Sequence, residues 1–274
     1  MVPLHLLSTL LLLPTLTSAG VLRDGIIGGH DAKPHSRPYM AYLVLHREAA
    51  MSYCGGFLVQ EDFVMTAAHC RARQLHVLLG AHDLNQNEPA QELVDVKESF
   101  PHPDYSSDNL AHDIMLLKLN RKVKLSDSIA VLPLPDSEAD LKGKTECLLS
   151  GWGNTARNGT NHPSKLQEVN VTVLDRDKCN QSWGDKITKE MICTASRKGG
   201  CKGDSGSPLV CGGVAHGVVS FGVQPCGLHG FPHIYTRIAE YLPWIGKVLN
   251  SPYRIPGARE IQTRSVGPAD PAAS

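Results

Sequence analysis

The sequence has no excess of charge of either sign, since 27 basic residues balance 27 acidic ones. Such a chain has no general electrostatic attraction for nucleic acid or for anionic membranes. It also lacks an apolar run of the roughly 20 residues that cross a bilayer. No two of its cysteines have the CxxC spacing of common zinc sites. We therefore expect no nucleic-acid partner, no membrane association, no metal and no cofactor.

The amino terminus carries a short apolar run over residues 6–13, followed by small residues at 17–20. A short hydrophobic core before small residues is typical of a cleaved secretory signal. The sequence therefore predicts a signal peptide over residues 1–19 and export of the mature chain.

Export makes the eight cysteines a disulfide framework, because thiols oxidise in secreted proteins. Eight cysteines allow 105 connectivities, and the residues alone do not choose among them. Three Asn-X-Ser/Thr motifs suit the same compartment and are candidate glycosylation sites: Asn158, Asn170 and Asn180. An unmodified surface motif is the alternative for each.

Short β-rich runs recur between turn residues, and several alternate apolar with polar side chains in the manner of half-buried strands. They fall at residues 42–45, 75–79, 114–119, 146–149, 169–174 and 217–221. The main helical period lies at 238–250, where Ile238, Leu242, Ile245 and Val248 share one face. The pattern predicts an all-β protein with a C-terminal helix. Residues 251–274 are rich in Pro, Ala and Gly and predict a disordered tail.

Three separated motifs carry the chemistry. His69 stands in Thr-Ala-Ala-His-Cys, Asp113 leads into an apolar run, and Ser205 stands in Gly-Asp-Ser-Gly-Ser-Pro. A serine hydroxyl is a poor nucleophile until a base removes its proton, and that base needs a third group to orient it. A carboxylate leading into a buried strand needs a partner, which His69 would provide.

The chain order His, Asp, Ser in these settings resembles the chymotrypsin-like serine proteases from residue 26 to about residue 250. The resemblance implies a Ser205 nucleophile, a His69 general base and an orienting Asp113. It also implies an oxyanion hole formed by the backbone N–H groups of Gly203 and Ser205. Protein or peptide substrates and serpin-type inhibitors are the partners implied, and we expect a monomer.

The family fold is a pair of six-stranded antiparallel β-barrels, which implies one protease domain over residues 26–250 with the barrels divided near residues 132–136. The resemblance also selects one disulfide pairing: Cys54–Cys70, Cys147–Cys211, Cys179–Cys193 and Cys201–Cys226. Ala81 stands where calcium-binding relatives carry an acidic ligand, so the resemblance implies no calcium site.

The stretch that begins at Ile26 resembles the mature amino terminus of these enzymes, whose freed α-amino group pairs with the residue matching Asp204. Gly25, rather than Arg or Lys, precedes Ile26, so a trypsin-like activator is not expected to cut there. The short pro-segment 20–25 resembles those of granzymes, mast-cell proteases and neutrophil proteases. In that branch a dipeptidyl peptidase removes the segment, which implies a zymogen and storage in a secretory granule.

The resemblance also locates the pocket for the residue before the scissile bond. The position that is Asp in trypsin-like enzymes is Gly199, so a strong Arg or Lys preference is not expected. We expect an uncharged pocket for aromatic or large aliphatic residues, formed with Gly200, Ser220, Phe221 and Gly222. Lys202, beside the site, favours acidic residues on the leaving side.

His233 occupies a position that lines the pocket wall in related proteases. It either narrows the pocket and favours polar or acidic side chains, or it points outward and plays no part. A further alternative is a catalytically weak relative that binds or has antimicrobial activity, although all three triad residues and Gly203 argue against it.

Overall fold

The computed structural model describes residues 26–48, 50–156 and 161–251. The predicted signal peptide, the pro-segment, the C-terminal tail after Ser251 and the motif at Asn158 therefore lie outside the described residues. The first strand, β1 (His30–Asp31), is short and joins the second of two barrels.

Six strands close the first barrel in the order β2-β3-β4-β7-β6-β5, with every neighbouring pair antiparallel. The strands are β2 (Met40–His46), β3 (Met51–Gln60), β4 (Phe63–Thr66), β5 (Gln74–Leu79), β6 (Glu92–Pro101) and β7 (Met115–Leu119). Leu116 and Leu117 are both fully buried, because β7 is covered on both faces. The continuous apolar run that begins at Ile114 thus continues into a strand that is buried on both faces.

The second barrel contains the remaining strands, closed in the order β8-β9-β10-β13-β12-β11 by the pairing of β8 with β9. They are β8 (Glu146–Gly151), β9 (Gln167–Leu174), β10 (Met191–Thr194), β11 (Pro208–Cys211), β12 (Val214–Phe221) and β13 (His233–Arg237). Val169, Val171 and Val173 point into this barrel while Asn170 is exposed. The predicted alternation and the two six-stranded barrels are confirmed.

The C-terminal segment forms a 3₁₀ turn (Ile238–Tyr241) followed by α2 (Leu242–Asn250), so the predicted helix is present but begins in a tighter turn. Sequence reasoning missed α1 (Arg176–Trp183), an eight-residue helix with only Cys179 buried. A helix with so little apolar surface carries almost no periodic signal.

The chain ends pack across the barrels. Tyr241 and Ile245 belong to the apolar core of the first barrel, although they follow the last strand of the second. Ile26, at the other end, is fully buried in the core of the second barrel. The predicted division at residues 132–136 falls within the link between β7 and β8.

Candidate active site

The two barrels meet where His69, Asp113 and Ser205 lie. His69 is in the 3₁₀ turn after β4 (Ala68–Cys70), and Asp113 comes shortly before β7. The Nδ1 of His69 lies 2.7 Å from Oδ2 of Asp113, and the backbone N–H of His69 donates to Oδ1 at 2.9 Å. Asp113 is fully buried whereas the His69 ring is 24% exposed. The carboxylate thus fixes both the backbone and the ring of His69.

Two further donors hold Asp113. The Ser220 hydroxyl donates to Oδ2 at 2.5 Å, and the Thr236 hydroxyl donates to the backbone carbonyl of Asp113 at 2.8 Å. A buried carboxylate needs a donor such as the Ser220 hydroxyl because it has lost its hydration. Sequence reasoning included Ser220 only as a pocket residue and did not single out Thr236, since neither lies near Asp113 in the chain.

Ser205 lies beside the turn that carries His69. Its carbonyl accepts the N–H of Gly55 at 2.7 Å and lies 3.7 Å from Sγ of Cys70. The Ser205 hydroxyl has no hydrogen bond to His69 or to any other described residue. Catalytic hydrogen bonds often tighten only when substrate binds.

The backbone around Ser205 leaves two N–H donors without an acceptor. The N–H groups of Asp204 and Gly206 bind carbonyls of Cys201 and Val219, but those of Gly203 and Ser205 bind no acceptor among the described residues. Gly203 has a φ of +99°, and a β-carbon there would come 3.0 Å from Cα of Gly153. Only glycine is tolerated in so tight a left-handed turn. Paired free donors of this kind can bind a developing oxyanion.

Asp204 is fully buried, and its carboxylate accepts N–H bonds from Gly153 at 2.8 Å and Cys201 at 2.9 Å. Burial raises the pKa of Asp204 to about 7, although the two N–H bonds act in the opposite direction. It forms no ion pair with any described residue. Burial also raises the pKa of Tyr235, with a contribution from the Asp204 charge, and Tyr235 packs in the same apolar cluster as Ile26.

A cavity of about 230 Å³ opens beside Ser205. Its lining includes most of the predicted pocket residues: Gly200, Lys202, Ser220, Phe221, Gly222 and His233. Gly199 borders it through His233, because a β-carbon on Gly199, whose φ is +148°, would lie 2.6 Å from Cδ2 of that ring. The glycine therefore leaves room for the imidazole.

His233 lies in the cavity wall rather than pointing outward, and only 8% of the residue is exposed. Its Nε2 is buried and has no hydrogen-bond partner among the described residues. Burial lowers the pKa of His233, and a hydrogen bond to the Ser196 backbone partly opposes this. The cavity is therefore lined by a neutral imidazole at neutral pH.

A larger groove of about 820 Å³ adjoins this cavity and shares Ser220 and Phe221 with it. The loop at residues 107–112 lines one side, and Trp183 lines another. The Trp183 ring packs edge-on against Phe221 with centroids 5.4 Å apart. Sequence reasoning missed this groove, because its lining comes from four separate segments of the chain between residues 107 and 241.

All four predicted disulfides are present: Cys54–Cys70, Cys147–Cys211, Cys179–Cys193 and Cys201–Cys226. Of the predicted glycosylation sites, Asn170 is exposed on β9. Asn180 lies in α1, where its side-chain carbonyl accepts the N–H of Ile187 at 2.8 Å.

One group of three potential metal ligands occurs in the part of the chain that the structure describes, namely Cys54, His69 and Cys70. The two sulfurs are bonded to each other, so they are not available as thiolates. No helix within the described ranges has the length and apolar character to cross a membrane.

Residues 26–245 match the family model described as Trypsin. The chain is 46% identical to duodenase-1 of Bos taurus over 241 residues, covering 86% of this chain and 94% of that protein. It is 42% identical to human granzyme B, covering 91% and 99%, and 41% identical to human cathepsin G, covering 88% and 94%.

Proposed function

The chain belongs to the trypsin family and is a granule-type serine endopeptidase, and we propose that His69, Asp113 and Ser205 carry its chemistry. The observation that carries this proposal is the 2.7 Å contact between the His69 ring and the fully buried Asp113. A carboxylate in that position orients the imidazole and stabilises its protonated form.

In the proposed reaction His69 removes the proton from the Ser205 hydroxyl as Oγ attacks the substrate carbonyl carbon. The tetrahedral intermediate collapses, His69 gives the proton to the leaving amine, and an acyl-serine ester remains. Water then attacks this ester by the same steps, which releases the acid and restores the serine.

We propose that the unpaired N–H groups of Gly203 and Ser205 bind the oxyanion of both tetrahedral intermediates. Their lack of other acceptors supports this role. One donor of this type contributes about 100- to 1,000-fold to kcat.

We propose that the protein is made as a secreted or granule-stored zymogen, and that a dipeptidyl peptidase removes residues 20–25. The buried Asp204 supports this, because it has no cationic partner among the described residues. A freed α-amine at Ile26 would supply one. The order of the surrounding loop, and with it the oxyanion hole, would then depend on cleavage.

We propose that the pocket takes aromatic or large aliphatic residues at neutral pH. Its size of about 230 Å³ and the absence of a carboxylate at Gly199 support this preference. The alternative is selection of polar or acidic residues through the unpartnered Nε2 of His233. Lys202 is exposed beside the site, which supports acidic residues on the leaving side.

The test is cleavage of a diverse peptide library at pH 5.5 and 7.5 by protein that begins at Ile26. A Ser205→Ala variant serves as the negative control. A fluorophosphonate probe, which labels activated serines, is applied to the same samples, with Ser107→Ala as a matched groove-serine control. Cleavage and labelling that vanish only with Ser205→Ala support the proposed mechanism. Folded protein that neither cleaves nor labels would instead favour a binding or antimicrobial relative.

A further inference from the structure

The residue before Asp113 has an unusual backbone. His112 has a φ of +55°, in the left-handed region that non-glycine residues seldom adopt. Its carbonyl accepts the N–H of Ile114 at 2.8 Å, so the chain makes a tight turn around Asp113. The direction of the Asp113 side chain therefore depends on what holds His112 in this conformation.

The His112 ring is held on two sides. It stacks on His102 with ring centroids 5.2 Å apart and an interplanar angle of 20°. Its Nδ1 lies 3.2 Å from the hydroxyl of Tyr241. His102 in turn packs edge-on against Tyr241 and against Trp244 of α2, each with centroids 5.1 Å apart. The C-terminal segment thus braces the loop that carries Asp113.

We propose that His112 is a positioning residue for Asp113, held by His102 and Tyr241, and that this arrangement weakens when the stacked imidazoles both take up protons. The inference rests on the proposed triad and adds a residue that acts through Asp113 rather than on the substrate.

The geometry around His102 explains the sensitivity to acid. Its Nδ1 accepts the backbone N–H of Asp104 at 3.2 Å, and a proton on that nitrogen would remove the bond. Burial lowers the pKa of His102, the neighbouring His112 lowers it further, and the Asp104 carboxylate opposes both. Two stacked imidazolium rings would also repel each other.

The charged and titratable groups around the pair come from several elements. The Glu190 carboxylate interacts electrostatically with His112. Burial raises the pKa of Glu190, but its hydrogen bonds and the charges of Lys189 and His112 outweigh burial, so that the pKa is lowered overall. The other such groups facing or lining this region are Asp104, Tyr105, Asp108, Asp113, Asp185, Lys186, Glu240 and Tyr241.

The experiment measures kcat and KM from pH 5 to pH 8 for protein beginning at Ile26 and for its His112→Asn and His112→Phe variants. The logarithm of wild-type kcat should fall against pH with a slope near two on the acid side, because the proposed base His69 must be unprotonated and the stacked pair must not hold two protons. We expect His112→Asn to lower kcat roughly fivefold or more at pH 7.5, with little change in KM, and to reduce that slope to about one. His112→Phe keeps a stacked ring, so it should recover part of kcat with the slope still about one.

The matched control is His76→Asn. His76 also packs against a second imidazole, that of His46, and pairs with Asp95 at 2.8 Å, but it has no contact with the Asp113 loop. It should leave kcat and slope unchanged. If His112→Asn fails to fold, Tyr241→Phe, which removes only the hydroxyl, should lower kcat while keeping a slope of two.

A His112→Asn variant with wild-type kcat and slope would overturn the inference, as would loss of the slope in His76→Asn. These outcomes differ from failure of the proposed triad. In that case wild-type protein would not label with fluorophosphonate, or Asp113→Asn would keep full activity.

Discussion

The Nδ1 of His69 lies 2.7 Å from a carboxylate oxygen of the fully buried Asp113. An exposed ion pair of this kind would contribute little, because water screens it. In a buried site each donor to the carboxylate matters, and Ser220 supplies a second one to the same oxygen.

Replacing Asp113 with Asn should lower kcat by about 10,000-fold while leaving KM nearly unchanged. The NH2 group of Asn donates a hydrogen bond to Nδ1 where the carboxylate accepted one, so His69 would hold its proton on Nε2 and could not act as a base. Steady-state kinetics on a folded variant, checked by its melting temperature, provide the measurement. Ser220→Ala is the matched comparison, and its loss should be smaller, roughly 10- to 100-fold for one charge-assisted hydrogen bond. Equal losses in the two variants would contradict the role given to Asp113.

The uncleaved chain, with residue 25 still attached, should become less stable as the pH rises toward neutral because of Asp204. Burial raises the pKa of this carboxyl from 3.8 to about 7. Between these values the folded state holds a proton that the unfolded state has lost, so the stability is greatest below the lower value and declines up to the higher one. The full difference is on the order of 4 kcal/mol.

Urea unfolding of the uncleaved chain at pH 5 and pH 7.5 measures this effect. Asp204→Asn should be the more stable of the two proteins at pH 7.5 and should be inactive after cleavage. The exposed Asp175→Asn serves as control and should not change the pH dependence. A wild-type chain that is equally stable at both pH values would refute the prediction.

Replacing His233 with Gly should enlarge the cavity beside Ser205 and alter the residue preferred before the scissile bond. Because the pKa of His233 is lowered from 6.5, the ring gains a proton only below that pH. Any pH-dependent shift in wild-type preference should therefore appear only below pH 6.5 and be absent from the variant. Library profiling above and below pH 6.5 gives the measurement. His229→Gly, a change in an exposed nearby loop, should leave the profile unaltered.

Removing the Cys54–Cys70 disulfide by a double change to Ala should lower the free energy of unfolding by about 3 kcal/mol. It should also lower kcat, because Cys70 follows His69 and contacts the Ser205 carbonyl. The Cys179–Cys193 disulfide is a close control, since its sequence separation is 14 against 16. Its removal should cost similar stability, measured by urea unfolding, without the same loss of kcat. An equal loss of kcat in the two disulfide variants would contradict a local role for Cys70.

Local patterns carried much of the information about this molecule. Val169, Val171 and Val173 alternate with polar residues, and they occupy the inner face of β9 as expected. The settings of His69, Asp113 and Ser205 were distinctive enough to indicate a shared site, and the disulfide pairing followed from the family resemblance.

Long-range contacts that neither a motif nor the family resemblance marks were beyond sequence reasoning. Ser220 lies 107 residues from Asp113, and no local sequence pattern predicts their hydrogen bond. The same holds for His112 and Tyr241, which are 129 residues apart. Whether two such side chains meet depends on the relative placement of whole strands and loops, which the barrel topology determines and residue spacing does not.

The core of each barrel includes a terminal segment from the opposite half of the chain. Ile26 and β1 join the second barrel, whereas Tyr241 and Ile245 complete the core of the first. A break in the link at residues 120–145 would therefore not yield two self-sufficient modules. Each fragment would expose an apolar surface that, in the intact chain, is covered by the terminal segment of the other fragment. The two halves of the chain therefore exchange terminal segments. The chain ends, as well as the facing surfaces of the barrels, hold the two halves together.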